Sequence, residues 1–349
     1  MSLELPIPDT RVLAVASHVR HPPELPAPPI MMLFTLQSLG CDVAALNTVQ
    51  FSYRQWKGTK VSAQEIRDLF EGLKQSYLDD FDMMLSGYIP GAEAVVAVGD
   101  IAKELKRKQA AAGTPGNFFW VLDPVMGDNG KLYVAEEVVP AYQSLVEYAD
   151  LILPNQFEAE CQDHGHADAP DRHPRPAHEI PHPHIVITSV SLASPDHPPS
   201  HLSVVGSSMS PTTGEPRLFK IVFPAIDAYF SGTGDMFAAL MTVRMREAVI
   251  AASKSAGAGA AGEEGLLKDR KSWLSGDDVD TPELPLARAT EMVLASMHEE
   301  VVRAAGVDET TEEGRRRLHL LKSKSAELKL VRNLASLREP VVEFRARKL

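Results

Sequence analysis

Short apolar runs separated by amphipathic helical stretches constrain this chain more than any other feature of its sequence. The runs are Arg11–Ser17, Cys41–Asn47, Met83–Gly87, Phe118–Leu122, Leu151–Leu153 and Ile185–Ser189. Their length and continuous apolarity fit short, buried strands. Between them lie Ile30–Leu39, ended by Gly40, then Ser62–Leu78, Ala92–Ala111 and Pro140–Tyr148. The second of these has Ser62 as a cap, Glu65 three residues on, and Ile66, Leu69, Phe70 and Leu73 at helical spacing. The alternation predicts βαβ units and an α/β fold, doubly wound, with a central mostly parallel sheet and helices on both faces. Ligands of such sheets bind off the carboxyl ends of the strands. Leu202–Val205 and Phe219–Phe223 predict a later hairpin, Leu286–Ala305 a long helix, and Val341–Phe344 a terminal strand or tail.

Three stretches read differently. Arg20–Pro29 holds five prolines and cannot be a helix interior. Cys161–His184 carries six histidines and five prolines and reads as an irregular loop; the irregular histidine spacing and lack of a cysteine pair argue against a specific metal site. Ala251–Pro285 is Ala/Gly/Ser-rich and then acidic, and is expected to be a flexible surface insertion. With these set aside, residues 1–349 read as a single domain.

The formal charge of −12 argues against nucleic acid and anionic membranes as partners. Two unpaired cysteines, Cys41 and Cys161, fit a reducing compartment. No apolar run is long enough to span a membrane and no signal peptide is visible, so the expectation is the cytoplasm, with the nucleus also accessible.

The chemistry concentrates at Phe230-Ser231-Gly232-Thr233-Gly234-Asp235. An extended apolar run precedes it, and a helix with Phe237, Met241, Met245 and Val249 at four-residue spacing follows. Glycines before a helix free the backbone to turn and to approach a ligand, and the first-turn amides with the helix dipole attract an anion. Asp235 in that turn is either a simple cap or a base beside a phosphate. No P-loop lysine pattern is present, which suits phosphoryl transfer to a hydroxyl with the carboxylate taking the proton. Asp123 and Asp128, flanking Gly127, are turn aspartates or ligands for Mg²⁺ and phosphate. Asn155 with Glu158 is a helix cap that can also face a crevice. Thr188 and Ser189 end a strand.

The spans Asp123-Pro124-Val125-Met126-Gly127-Asp128, Pro154-Asn155-Gln156-Phe157-Glu158-Ala159-Glu160 and Gly232-Thr233-Gly234-Asp235 closely resemble, in wording, order and spacing, the pyridoxal kinases of the ribokinase-like superfamily, in a fungal-like form. The resemblance covers about residues 11–160, 184–248 and 286–349. It implies ATP-dependent phosphorylation of the 5′-hydroxyl of pyridoxal, and of pyridoxine and pyridoxamine, in vitamin B6 salvage. It assigns Asp235 as the base and Gly232, Thr233 and Gly234 as the anion cradle. Asp123, Asn155, Thr188 and Ser189 fall at ATP; Asp123, Asp128 and Glu158 at Mg²⁺ and a monovalent cation such as K⁺. Ser17, Val49, Phe51 and Tyr88 fall around the pyridine ring, and a homodimer is implied.

The chain departs from that pattern in four places. Leu153 stands where the family has a threonine, removing an oxygen from the monovalent-cation site. Arg20–Pro29 replaces a glycine-containing segment, Ser52–Trp56 skips a segment with a substrate-contacting threonine, and Cys161–His184 replaces helix. The ATP half of the pattern is intact and the vitamin half altered. A related hydroxymethylpyrimidine kinase and a catalytically impaired nucleotide-binding homologue are the alternative readings.

Overall fold

The computed structural model describes residues 5–20, 31–52, 55–56, 60–163, 182–191, 200–225, 232–257, 266–305 and 333–349. Its strands are β1 (Thr10–Arg20), β2 (Cys41–Ser52), β3 (Gln55–Trp56), β4 (Met83–Ser86), β5 (Phe119–Leu122), β6 (Gly127–Asp128), β7 (Lys131–Leu132), β8 (Leu151–Ile152), β9 (His184–Val190), β10 (His201–Met209), β11 (Pro216–Pro224) and β12 (Arg347–Lys348). The helices are α1 (Met31–Ser38), α2 (Ala63–Gln75), α3 (Ala92–Ala111), α4 (Val138–Gln143), α5 (Gln156–Asp163), α6 (Thr233–Gly257), α7 (Pro285–Ala305) and α8 (Leu334–Arg338).

The main sheet runs β12-β11-β10-β9-β8-β5-β4-β1-β2-β3. Pairings from β2 through β9 are parallel, and those of β3, β10, β11 and β12 antiparallel. The alternation of side chains along each strand divides the core in two. Val12, Ala14, Leu85, Phe119, Val121 and Val186 pack with α1, α6 and α7 on one face. Leu13, Val15, Met84, Trp120, Leu122 and Ile185 pack with α2, α3 and α4 on the other. Chain order reverses between β1 and β4, and the carboxyl ends of these two strands open a crevice there.

The expected Ser62 cap is a reciprocal capping box: Glu65 N donates to Ser62 Oγ, and Ser62 N donates to Glu65 Oε2. Helix α6 is buried on all sides from Met236 to Met245, because it lies between the sheet and α7.

Three expectations are corrected or narrowed. Residues 251–285 are not a flexible insertion throughout: α6 continues to Gly257, and 266–285 form ordered 3-10 turns, with 258–265 outside the described residues. Trp273 is 1% exposed and stacks on Phe119, with ring centroids 4.0 Å apart. Its Nε1 donates to Gly116 O at 2.8 Å. Composition suggested a flexible surface insertion; one indole matched to an aromatic on the sheet overrides it, even holding Ser272 and Trp273 at left-handed φ of 53° each. Second, of the strand-or-tail alternatives Val341–Phe344 is the tail, and the terminal strand is the later Arg347–Lys348, paired with Lys220 and Phe219. Third, the stretch Cys161–His184 begins inside α5 and ends in β9; residues 164–181 lie outside the described residues.

His182 and His184, at that junction, are buried. His182 Nε2 lies 2.9 Å from Val146 O, and His184 Nε2 lies 2.7 Å from Ser272 O. Burial is the main force depressing both rings, to about 4. Beside them Asp150 accepts from Lys106 Nζ, Ser272 Oγ and Trp120 N. This polar knot ties 271–273 to the amino ends of β5, β8 and β9, opposite the crevice.

Two stability measurements follow. Trp273→Ala is expected to cost about 3–5 kcal/mol in urea unfolding, the range for a buried large aromatic; a loss below about 1 kcal/mol would restore the reading of a flexible insertion. Because the folded histidine values lie below the unfolded 6.5, the unfolded chain binds the extra protons. Stability from this source is complete above pH 6.5 and lost as pH falls toward 4, by roughly 3 kcal/mol for each ring. Thermal midpoints should fall across that window, and less steeply in His184→Gln.

Candidate active site

Asp123 follows the fully buried strand β5, and its N–H donates to Ser86 O at 2.8 Å. That bond extends the β4–β5 ladder by one step and leaves the carboxylate at the strand end. The chain then turns back as β6 and β7 through Asn129 (φ 50°) and Gly130 (φ 74°), a two-residue hairpin of the Asn-Gly kind. Gly127 has no alternative, since a Cβ there would lie 2.4 Å from Lys131 O and 2.5 Å from the Phe157 ring. Asp128 is exposed and accepts from Asn129 N and Nδ2.

Asn155 and Glu158 cap α5 reciprocally, Asn155 N donating to Glu158 Oε2 and Glu158 N to Asn155 Oδ1, both at 2.9 Å. Glu158 Oε1 also accepts from Met126 N and Gly127 N, and Asn155 Nδ2 donates to Gly127 O. One capping pair therefore locks the loop after β5 to the loop after β8. Thr188 N donates to Pro154 O, which brings β9 to the same rim. Ser189, the residue before the last of β9, is exposed and at left-handed φ 55°, where the pairing of β9 with β10 shifts register.

The turn at Gly232 needs its glycine, with φ 82°. Met236 N donates to Gly232 O, and Thr233, Gly234 and Asp235 lie in the first turn of α6, where amides lack intrahelical acceptors. Gly234 has open space where a Cβ would stand, so its role is clearance and not a turn. Asp235 is half-buried, and removal from water pushes its carboxyl up to about 6. A Cβ on Gly87, at the end of β4, would lie 3.9 Å from Asp235 Oδ1. The carboxylate thus reaches the crevice between β1 and β4.

A cavity of about 670 Å³ gathers Asp123, Asp128, Asn155, Glu158, Thr188, Ser189, Thr233 and Gly234. Among the described residues that line it there is no lysine or arginine. Burial first, then Glu158 and Asp235, hold Asp123 well above the carboxylate range. Burial also raises Glu158, to about 7, against the three amides that favour its charged form. Tyr133 is more than half exposed as a residue, but partial loss of solvent, then Glu158 and Asp123, push its phenol up, so it enters the site as a neutral hydroxyl. The set is rich in negative charge and amide donors, which suits a phosphate accompanied by a cation. Among the described residues, no three of His, Cys, Asp and Glu converge as a ready-made metal cluster.

The remaining candidates sit elsewhere. Ser17 is buried next to the irregularity where β1 shifts register on β2, and Val49 is buried in β2. Tyr88 is half-buried, its carbonyl accepting from Thr48 Oγ1. These lie on the Gly87 side of Asp235, outside the cavity. Phe51 pairs through its backbone with Val19 and Trp56; its side chain is outside the described residues. Sequence reasoning missed the far end of the cavity, formed by Leu202, Val204, Phe223, Leu294, Met297 and His298. These come from β10, β11 and α7, and no local motif joins them; the one hint was a histidine beside apolar positions of α7.

No protein-family model matches the chain. Among characterised relatives it is 35% identical over 262 residues to pyridoxal kinase of Sus scrofa, covering 67% of this chain and 74% of that one. It is 33% identical over 261 residues to pyridoxal kinase of Arabidopsis thaliana, covering 69% and 76%. A pyridoxal kinase homologue of Schizosaccharomyces pombe is 32% identical over 280 residues, covering 78% and 79%. In fold it matches pyridoxal kinase from Leishmania donovani in complex with ADP and ginkgotoxin, TM-score 0.70 and 25% identity, over 97% of this chain and 99% of that one. The ribokinase-like sheet, the GTGD turn at its crevice and relatives alike over two thirds of the chain point one way, and the chain belongs to the pyridoxal kinase family.

Proposed function

We propose that this protein transfers the γ-phosphoryl group of ATP to the 5′-hydroxyl of pyridoxal, and of pyridoxine and pyridoxamine, in vitamin B6 salvage. The observation that carries this reading is the position of Asp235. It stands at an amide-lined helix start, between a cavity of nucleotide size and the β1–β4 crevice. The vitamin's hydroxyl lies on the Gly87 side and the triphosphate on the Asp123 side. Asp235 takes the hydroxyl proton while that oxygen bonds to the γ-phosphorus. The bond from phosphorus to the β–γ bridging oxygen breaks, and ADP leaves. The amides of Thr233, Gly234 and Asp235 hold charge on the transferring group. Position supplies most of the effect, since a carboxyl near 6 is only a moderate base.

With no basic side chain among the described residues lining the cavity, the triphosphate needs a metal, and Mg²⁺ suits one or two carboxylates plus phosphate oxygens. Asp123 and Asp128 are the residues that would hold it, and it would supply charge neutralisation at the phosphates. Glu158, whose oxygens already accept from three amides, serves to position both loops. The fit to K⁺ is poorer: Leu153 is buried against the cavity and offers only carbon where an oxygen ligand was expected. Likeness to the family supports a homodimer. Among the described residues no helix is long and apolar enough to cross a membrane. Of the altered vitamin-side segments, residues 21–29 and 53–54 lie outside the described residues.

Three predictions test the reading. With Mg·ATP and pyridoxal, Asp235→Asn should keep the fold and lose at least about 10²-fold in kcat, the usual worth of a positioned base. In the wild type, kcat/KM should rise with pH through about 6, because the protonated carboxyl cannot accept the hydroxyl proton. An asparagine variant that turns over normally would sink the proposal. Gly87→Ala sets a methyl beside Asp235 Oδ1, and its nearest neighbours are the flexible end of Met32 and the Ala16 methyl. It should raise the KM for pyridoxal about tenfold or more, with the KM for ATP and the thermal midpoint nearly unchanged.

A further inference from the structure

The far end of the cavity is apolar except for His298. His298 is on α7, seven residues after Glu291 and four after Leu294, on one side of the helix. Phe344, from the chain terminus, stands edge-on to the His298 ring, with centroids 4.9 Å apart and planes at 83°. The same phenyl ring lies 6.3 Å from Phe223, a second wall of the cavity. Phe344 itself does not line the cavity, so it acts from behind.

The tail that carries it is firmly tied. Glu291, 3% exposed at its side chain, accepts from Ala346 N at 2.8 Å and pairs with Arg345 and Arg288 at 3.0 Å each. Val341 N donates to Glu299 Oε1, and β12 closes on β11. Along the tail Val342, Phe344 and Ala346 turn inward, and Glu343 and Arg345 outward, the alternation of an extended segment.

We propose that this carboxyl-terminal tail is part of the nucleotide site, with Phe344 as a positioning residue that holds His298 and Phe223 against the base of a purine nucleotide. The inference rests on the nucleotide reading of the cavity. An edge-to-face pair fixes the imidazole plane, and His298 supplies the polar atoms with which an otherwise apolar slot recognises a heteroaromatic base.

The test is ADP binding by calorimetry on the full chain, together with separate KM values for ATP and pyridoxal. Phe344→Ala and His298→Ala should each weaken ADP about five- to tenfold, the scale of one aromatic pair. The KM for ATP should rise in step, with the KM for pyridoxal within about twofold of wild type. In the His298→Ala background, Phe344→Ala should cost clearly less than it does alone, since one of the two rings it positions is already removed. Phe344→Leu keeps the apolar volume, protects the fold, and should change ADP affinity in the same direction. Glu343→Ala, on the outward side, should leave ADP binding unchanged. Unchanged ADP affinity in Phe344→Leu and Phe344→Ala, simple addition of the two penalties, or an equal rise in the pyridoxal KM would overturn the inference. A wild-type chain that binds no ADP would remove the nucleotide reading itself.

Discussion

A sheet covered on both faces has only its edges and its strand ends for polar work. In this chain successive residues of β1, β4, β5 and β9 feed two separate apolar cores, and no face is left to meet a ligand. The carboxyl ends of the strands are where the backbone leaves the ladder and polar groups can gather without being buried unpaired. Asp123, Asn155, Thr188 and Gly87 all stand at such ends, and the start of α6 is aimed at them. The site is a consequence of how the sheet is covered.

Charge is handled at that site by amides and hydroxyls. Asp123, Glu158 and Asp235 lie close enough to raise one another or to be raised by burial, and no basic side chain among the described residues lines the cavity beside them. An arrangement of that sign makes sense when the substrate brings its own cation. Glu158 shows the same logic at shorter range. Three backbone N–H groups hold its carboxylate, and that single side chain sets the spacing of two loops that carry the other acids.

Segments remote in sequence close the structure around this centre. The turns at 266–285 plug the amino ends of the strands with Trp273, and the terminal residues clasp α7 and β11 behind the cavity. Neither segment resembles regular secondary structure, and both are fixed by one aromatic ring and a few hydrogen bonds. That is why composition misjudged the first as flexible and why the second read equally as strand or tail.

The sequence by itself determined the doubly wound sheet, the capping box at Ser62, the turn after Asp123 and the acidic and amide half of the candidate site. These are local: alternation, caps and glycine turns act within a few residues, and GTGD, DPVMGD and PNQFE each carry their own geometry. Only the tertiary structure decided that Trp273 is core, that His182 and His184 are buried structural rings, and that Leu202, Phe223, Met297 and His298 share a wall. Such positions depend on contacts between residues up to 157 apart, and their energy comes from packing surfaces no single stretch contains. Asp235 belongs to both accounts. Its motif marked it as a cap or a base, and its place opposite Gly87, at the mouth of the β1–β4 crevice, is what burial and topology added.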